Sequence, residues 1–461
     1  MRIRGGFLVA AMAFGLGACA SVYNLPLNKP SAAPFLPAVP PVGQRGEGSS
    51  TIVGLAFSGG GTRAAAFAYG VLGELARTPS PRERGRDLID HVGLVTGVSG
   101  GSIIAAYFGL KGRDALTDFR QRYLDQDLMA ELRTSIDLTN ISRALGGGVN
   151  DDSRLRNWLN ANLYHDATFG TLLARRRPVV LINATDIYNR TPFVFEPATF
   201  AAMCSDLTGY PIAAAVAASA AVPAAFAPVV LETFPGQCNA PLPEGMLRAA
   251  RDPFTSPQLH AFARALERSR IGAVKYIKLL DGGLVDNFGL SSLTITREVA
   301  GTPYGPLQPN EAVNLRRLLF LVIDAGVGPG GQWSQTLEGP AGGALVSAVV
   351  DVVVEANSQS SFAAFEATMR SWREQMVRWR CGLRSEEVAR LRGRSGPWNC
   401  NDLKITVGRI SFGQLDAERA KILNAVPTSF SLPPDAVDAL TSAGADALQA
   451  NPTFQAFLRE R

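Results

Sequence analysis

At 461 residues the chain is long enough for a deep core in one large or two medium domains. Hydrophobic residues at 46% and charged residues at 18% exclude a disordered chain or a coiled coil. Lysine and arginine exceed the acids by 45 to 40, a surplus too small to make nucleic acid the partner, and three histidines leave little material for a His-built metal site or relay.

The N-terminus reads as an export address. Arg2 and Arg4 precede an uncharged, mostly apolar stretch from Gly5 to Gly17, too short for a mature membrane span, which takes ~20 residues. It ends in Leu16-Gly17-Ala18-Cys19, which resembles the lipobox of bacterial lipoproteins. That resemblance implies a signal peptide at 1–18 and acylation of Cys19; an ordinary signal peptide with an incidental cysteine is the alternative. Ala20, rather than an aspartate, follows the cysteine, which by resemblance to sorting rules implies the outer membrane of a bacterial envelope. Residues 21–50 carry six prolines (Pro26, Pro30, Pro34, Pro37, Pro40 and Pro41) and no hydrophobic period, so 19–50 is expected to be a tether. In a polyproline conformation, at ~3.1 Å per residue, it would reach on the order of 90 Å.

From residue 51, apolar strands alternate with helices. Thr51–Phe57 is an uncharged run suited to a strand buried on both faces. A glycine cluster and a helical stretch from Arg63 to Arg77 follow, then a strand at Val92–Val95, a tight turn, and a buried helix from Ser102 to Leu110. Pro178–Ala184, Tyr276–Leu280 and Leu318–Ile323 are further strand-length apolar runs. This alternation predicts a three-layer α/β/α sandwich with a mostly parallel central sheet. Residues 232–274, with five prolines and a helical stretch from Gln258 to Arg270, read as an insertion. It is either a surface helix packed by one stripe (Leu259, Phe262, Leu266) or a lid. The main domain is expected over 51–425, with a helix from Ala344 to Met376, a strand from Leu403 to Ile410, and a helical tail over 426–461. With Cys19 set aside, Cys204, Cys238, Cys381 and Cys400 form an even set in an exported chain, without a C-x-x-C pair or a His cluster. Disulfides are expected rather than zinc, and Cys204 with Cys238 and Cys381 with Cys400 close the shortest loops.

Three segments carry chemistry. Gly97-Val98-Ser99-Gly100-Gly101 is a G-x-S-x-G string between a strand and a helix, where a sharp turn lifts a serine hydroxyl above the sheet. Ser58-Gly59-Gly60-Gly61-Thr62-Arg63 again joins a strand to a helix, and consecutive glycines there aim backbone N–H groups at an anion. Gly59, Gly61 and Ala64 also fit the G-x-G-x-x-A of a dinucleotide loop. That reading needs an acid at the end of the next strand, which ends instead in Thr96-Gly97-Val98-Ser99. Leu280-Asp281-Gly282-Gly283 puts an aspartate at the carboxyl end of a strand; by itself this is also an ordinary turn.

In chain order, glycine loop, G-x-S-x-G turn and Asp-Gly-Gly, the segments resemble the patatin-like phospholipase family, over residues 51–290, with Ala218-Ser219-Ala220-Ala221-Val222-Pro223 and Phe226 resembling its Ala/Ser/Pro block. The resemblance implies a patatin-like fold and a Ser-Asp dyad: Ser99 attacks an ester carbonyl, Asp281 takes its proton, and Gly59, Gly60, Gly61 and Gly100 form the oxyanion hole. Gly97, Gly101, Gly282 and Gly283 would support these turns, and Arg63 would anchor the glycine loop or meet a lipid phosphate. An unperturbed Asp, at pKa ~3.9, is a poor base for a hydroxyl, so Asp281 is expected in a desolvated setting. The implied function is hydrolysis of (phospho)lipid acyl esters at the membrane. Acyl transfer or thioester hydrolysis uses the same nucleophile, and a non-catalytic envelope scaffold is the reading from another class. Nothing resembles a calcium loop or zinc site, so no metal or other cofactor is expected. A His triad would have to draw on His165 or His260, neither of which has a motif around it.

Overall fold

Thr51–Phe57 forms β1 with all seven residues buried, as a strand covered on both faces requires. The structure, a computed structural model, describes residues 23–31, 50–81, 83–132, 150–175, 178–223, 225–239, 241–328 and 332–459. The expected signal peptide, Cys19 and most of the tether lie outside them. Strands β2 (Val92–Val98), β3 (Val179–Asp186), β4 (Thr191–Val194), β5 (Val229–Glu232), β6 (Tyr276–Asp281), β7 (Arg317–Asp324) and β8 (Lys404–Ser411) complete an eight-stranded sheet in the order β5-β6-β3-β2-β1-β7-β8, with β4 also on β3. The run β3-β2-β1-β7-β8 is parallel. Strands β4 and β6 run antiparallel to β3, and β5 is antiparallel to β6. The short strands β4 and β5 lack the long apolar run that marks the others in sequence.

Period-two alternation sorts the strand side chains into two cores. On one face Val53, Leu55 and Phe57 join Leu319, Leu321 and Ile323. There they meet Phe67 and Leu72 of α1 (Gly61–Leu75), Ile103 of α2 (Gly100–Lys111) and Val216 of α3 (Ile212–Ser219). The helices α4 (Glu244–Arg251) and α5 (Pro257–Arg270) pair with each other, and α5 and the short α6 (Gly283–Asp286) lie against β4. On the other face Ile52, Ala56, Leu318, Phe320 and Val322 pack on Phe365, Met369, Trp372 and Met376, spaced four, three and four along the 40-residue α7 (Gly343–Gly382). The result is the expected α/β sandwich.

Three segments that the sequence singles out take defined places in the structure. The final helices are core rather than appendage. In α8 (Pro434–Ala450) Val437, Leu440, Ala443 and Leu448 are buried, and the helix lies so close to α1 that a methyl at Gly70 would strike the Thr441 carbonyl and one at Gly444 the Phe67 carbonyl. The 232–274 segment is packed: Leu259, Phe262 and Leu266 of α5 bury against Met246, Ala249 and Ala250 of α4. The Cys204–Cys238 disulfide ties its start to the body, and Cys381–Cys400 closes the second bridge. Finally, residues 23–31 of the expected tether are fastened to the domain. Asn24 donates to the carbonyls of Ala227 and Pro228, both at 3.0 Å, and Asn28 donates to the Glu232 carbonyl at 2.7 Å. Prolines across 21–50 remove the hydrophobic period, and these docking contacts come from two asparagine side chains that no period reveals.

Candidate active site

Strands β1 and β2 end side by side, with Phe57 opposite Gly97. Both turn at once into helices, and this brings the glycine loop and the G-x-S-x-G turn together. A methyl at Gly100 would land on the Gly61 carbonyl, and one at Gly101 on that of Phe57. The glycines at these positions are therefore required by close backbone approach. At the apex Ser99 has φ 52° and ψ −124°, a conformation that costs a non-glycine residue on the order of 1–3 kcal/mol. Hydrogen bonds hold it there. The Ser99 N–H donates to Ser219 Oγ at 2.9 Å, and that hydroxyl donates to the Asn183 carbonyl at 2.6 Å. Ser102 donates to the Ser99 carbonyl through both its N–H, at 2.9 Å, and its Oγ, at 2.6 Å.

Asp281 arrives from the opposite direction. Sequence reading places it at the carboxyl end of a strand in a mostly parallel sheet, but β6 runs against its neighbours. At Asn183, β3 pairs with Val98 on one edge and Val194 on the other; at Ala184, it pairs with Asp281 and Phe193. Since β4 holds one edge throughout, β2 and β6 share the other and meet end to end along β3. Ser99 and Asp281 occupy that junction, with the Ser99 hydroxyl close enough to the Asp281 carboxyl to lower its pKa. The Ala/Ser/Pro block clamps the same point: Asp281 N–H donates to the Ala221 carbonyl at 2.9 Å and Gly282 N–H to the Ser219 carbonyl at 3.1 Å. Ser219 thus touches both arms.

Asp281 keeps some solvent contact, but protein atoms crowd its carboxyl. Burial pushes its pKa up to about 6, against the lowering effects of the Gly283 N–H, which donates to Oδ1 at 2.8 Å, and of the Ser99 hydroxyl. An aspartate so tuned is ionised at neutral pH and basic enough to accept a hydroxyl proton.

The four predicted oxyanion glycines separate into two groups. Gly59 does not serve as a donor: its N–H is already committed to Asn287, at 3.1 Å to both the backbone carbonyl and Oδ1. Gly60 (φ 134°) and Gly61 (φ 61°) turn the loop into α1. Among the described residues, the N–H groups of Gly60, Gly61 and Gly100 have no protein acceptor. Arg63 is buried and anchors the loop, donating through Nε to the Ala325 carbonyl at 2.9 Å and through a terminal nitrogen to the Val426 carbonyl at 2.8 Å. Burial lowers its pKa to about 10. Committed in this way, it ties the glycine loop to the body of the domain.

The histidines stand elsewhere. His260 Nδ1 lies 2.8 Å from the Ala249 carbonyl, inside the α4–α5 pair. His165 occupies a left-handed turn with Nε2 3.5 Å from Arg122. His91 is buried just before β2, where burial lowers its pKa.

The family model of the patatin-like phospholipases matches residues 55–294, just over half of the chain. The chain belongs to the patatin-like phospholipase family. No curated protein matches it. Among solved structures it is similar to the human GIVD cytosolic phospholipase A2, at 13% identity and a TM-score of 0.31, over 59% of this chain and 45% of that one. The chain thus spans less than half the length of that protein, and the overlap is too loose to bear on mechanism. The matched patatin segment runs from within β1 through the glycine loop, the G-x-S-x-G turn and Asp281 into the helix Ser291–Val299. It also holds residues that motif reading leaves unassigned. Asn287 fixes Gly59, and Asn183 Nδ2 donates to the Gly97 carbonyl at 3.0 Å and to Thr96 Oγ1 at 2.7 Å. The Asn287-Phe288-Gly289 string that follows the Asp motif is the only sequence signal for the first; Asn183, inside an apolar strand, offers a lone polar residue.

Proposed function

We propose that the protein is a serine lipid acyl hydrolase working through a Ser99–Asp281 dyad. The observation that carries this is the meeting of the two side chains where β2 and β6 end along β3, beside a carboxyl that burial raises to about 6. Ser99 Oγ attacks the ester carbonyl as its proton passes to Asp281. The oxyanion is held by the N–H groups of Gly60, Gly61 and Gly100. Collapse breaks the ester C–O bond, the departing alcohol takes the proton from Asp281, and the acyl group remains on Ser99. Asp281 then deprotonates a water whose oxygen attacks the acyl carbon, and Ser99 leaves with the proton restored.

Substrates are acyl esters of phospholipids or lysophospholipids, in keeping with the family. Apolar surface near the site supports a lipid: Leu345, Val349, Val352 and Val353 are exposed on the early turns of α7. Farther along that helix, Asn357 donates to the carbonyl of Leu284, three residues after Asp281, at 2.8 Å. The mature chain begins at an acylated Cys19 and resides in the bacterial envelope on the outer membrane, a reading supported by the lipobox resemblance. A panel of phospholipids and lysophospholipids, assayed for fatty-acid release, tests the proposal. Wild type is expected to release fatty acid while Ser99→Ala and Asp281→Ala do not; equal release by all three would overturn it.

A further inference from the structure

Residues 23–31 are built inside out for a water-facing segment. Asn24 and Asn28 are 5% and 7% exposed, while Tyr23, Leu25 and Leu27, between and beside them, are 71%, 72% and 37% exposed. An alternating segment on a soluble surface ordinarily buries its apolar row and hydrates its polar one. Here the asparagines are the latch. Asn28 pairs with the backbone of Glu232 in both directions, donating at 2.7 Å and accepting from its N–H at 3.0 Å. Asn24 accepts from the Asp152 N–H at 2.8 Å while donating to Ala227 and Pro228. These contacts run along the free edge of β5, the outermost strand, and cover an edge that would otherwise be open. Lys29 and Ser31 fasten the far end: the Lys29 carbonyl accepts from the Asp206 N–H at 2.9 Å, and Ser31 N–H donates to the Cys204 carbonyl at 2.9 Å.

The latch changes the arithmetic of the anchor. Only four residue steps separate Cys19 from Tyr23, a reach of at most ~14 Å. Residues 32–49 lie on the other side of the docked segment and add nothing to the distance between anchor and body. The 90 Å leash read from the prolines is therefore a short strap. It is fastened near the reacting groups, since Asn24 holds Ala227 and the Ala221 carbonyl holds Asp281.

We infer that residues 23–29 are a membrane-facing strap, with Tyr23, Leu25 and Leu27 seated on the lipid surface and the catalytic side of the domain held against it. The inference rests on the reading of Cys19 as the acylated residue. Apolar side chains next to a lipid anchor add membrane affinity in proportion to the area they bury. A tyrosine suits the headgroup level, and the exposed Lys29 suits anionic headgroups.

The test uses the full chain purified from membranes and placed in vesicles of phosphatidylethanolamine and phosphatidylglycerol. Leu25→Cys supplies a single free thiol, because the other four cysteines after Cys19 are paired. A nitrobenzoxadiazole label at that thiol is compared with one at Glu386→Cys, exposed on the helix Ser385–Arg392. Doxyl-labelled lipid should quench the label at 25 at least twofold more than the label at 386, and aqueous iodide should do the reverse. Equal access of iodide to both overturns the strap. Protection from iodide without quenching by doxyl lipid also overturns it, because a second copy of the chain then covers the row. The intact mass of the mature chain decides the anchor reading separately: an acylated Cys19 with a water-exposed label at 25 sinks the strap alone, while a chain lacking acyl mass sinks the anchor and with it the strap.

Discussion

The two arms of the site carry their cost in different forms. The β2 arm is strained: Ser99 sits at φ 52°, held by Ser219 and Ser102. The β6 arm is relaxed in backbone but desolvated, and its carboxyl is raised to about 6. A nucleophile needs position, and backbone geometry supplies it; a base needs proton affinity, and burial supplies that. One meeting point thus joins two independent devices, which substitutions can separate.

Removing the proposed nucleophile should have the largest effect. Ser99→Ala is expected to lower kcat/KM on a p-nitrophenyl ester by at least ~10⁴-fold, since positioning and oxyanion contacts alone leave little turnover. Asp281→Asn, which keeps shape and loses basicity, should cost ~10²–10⁴-fold. In wild type kcat/KM should rise with pH through a midpoint near 6, as the carboxyl ionises. Next is Ser219→Ala, which leaves the Ser99 N–H without its acceptor. A drop of about 10- to 100-fold in kcat with a smaller change in KM is expected, along with about 1–3 kcal/mol of stability measured in urea. An unchanged kcat would mean that the elbow holds its shape without the block.

The stability effects are smaller, and they separate the arms. The folded Asp281 carboxyl keeps its proton up to about pH 6, while the unfolded one releases it near pH ~3.9. Between those values the native state binds more protons, so its contribution to stability falls as pH rises and the full cost is present above about 6. Asp281→Asn should therefore be more stable than wild type at pH 8, by on the order of 2–3 kcal/mol, with the gain vanishing near pH 4. Ser99→Gly relieves positive-φ strain instead and should gain about 1 kcal/mol at every pH. If the two gains share one pH dependence in urea unfolding, the devices are not independent.

The β2 arm was the legible one. A turn of that sharpness demands Gly97, Gly100 and Gly101 within a few residues of Ser99, and a local demand leaves a local string. The glycine loop was legible for the same reason, though the commitment of the Gly59 N–H to Asn287 was not, because the partner comes from a distant part of the chain. Asp281-Gly282-Gly283 gave the residue but not its direction of approach, since strand polarity in β6 is a property of the whole sheet. Ser219 lies in a block that drew notice by resemblance, yet its bond to the Ser99 N–H depends on a helix packed across the sheet. The strap escaped altogether. Its prolines erase any period, and its two asparagines act on the backbone of β5 rather than on any pattern of their own.

The central claim is that one serine, activated by one aspartate, does the chemistry. Reaction with a fluorophosphonate, located by peptide mass spectrometry and timed between pH 4 and 8, tests it most directly. A single adduct on Ser99 is predicted, forming with a midpoint near pH 6 and at least ~10²-fold more slowly in Asp281→Asn, while His165→Ala and His260→Ala label at the wild-type rate. An adduct on another residue, or a rate that is lost in His260→Ala and kept in Asp281→Asn, would contradict it.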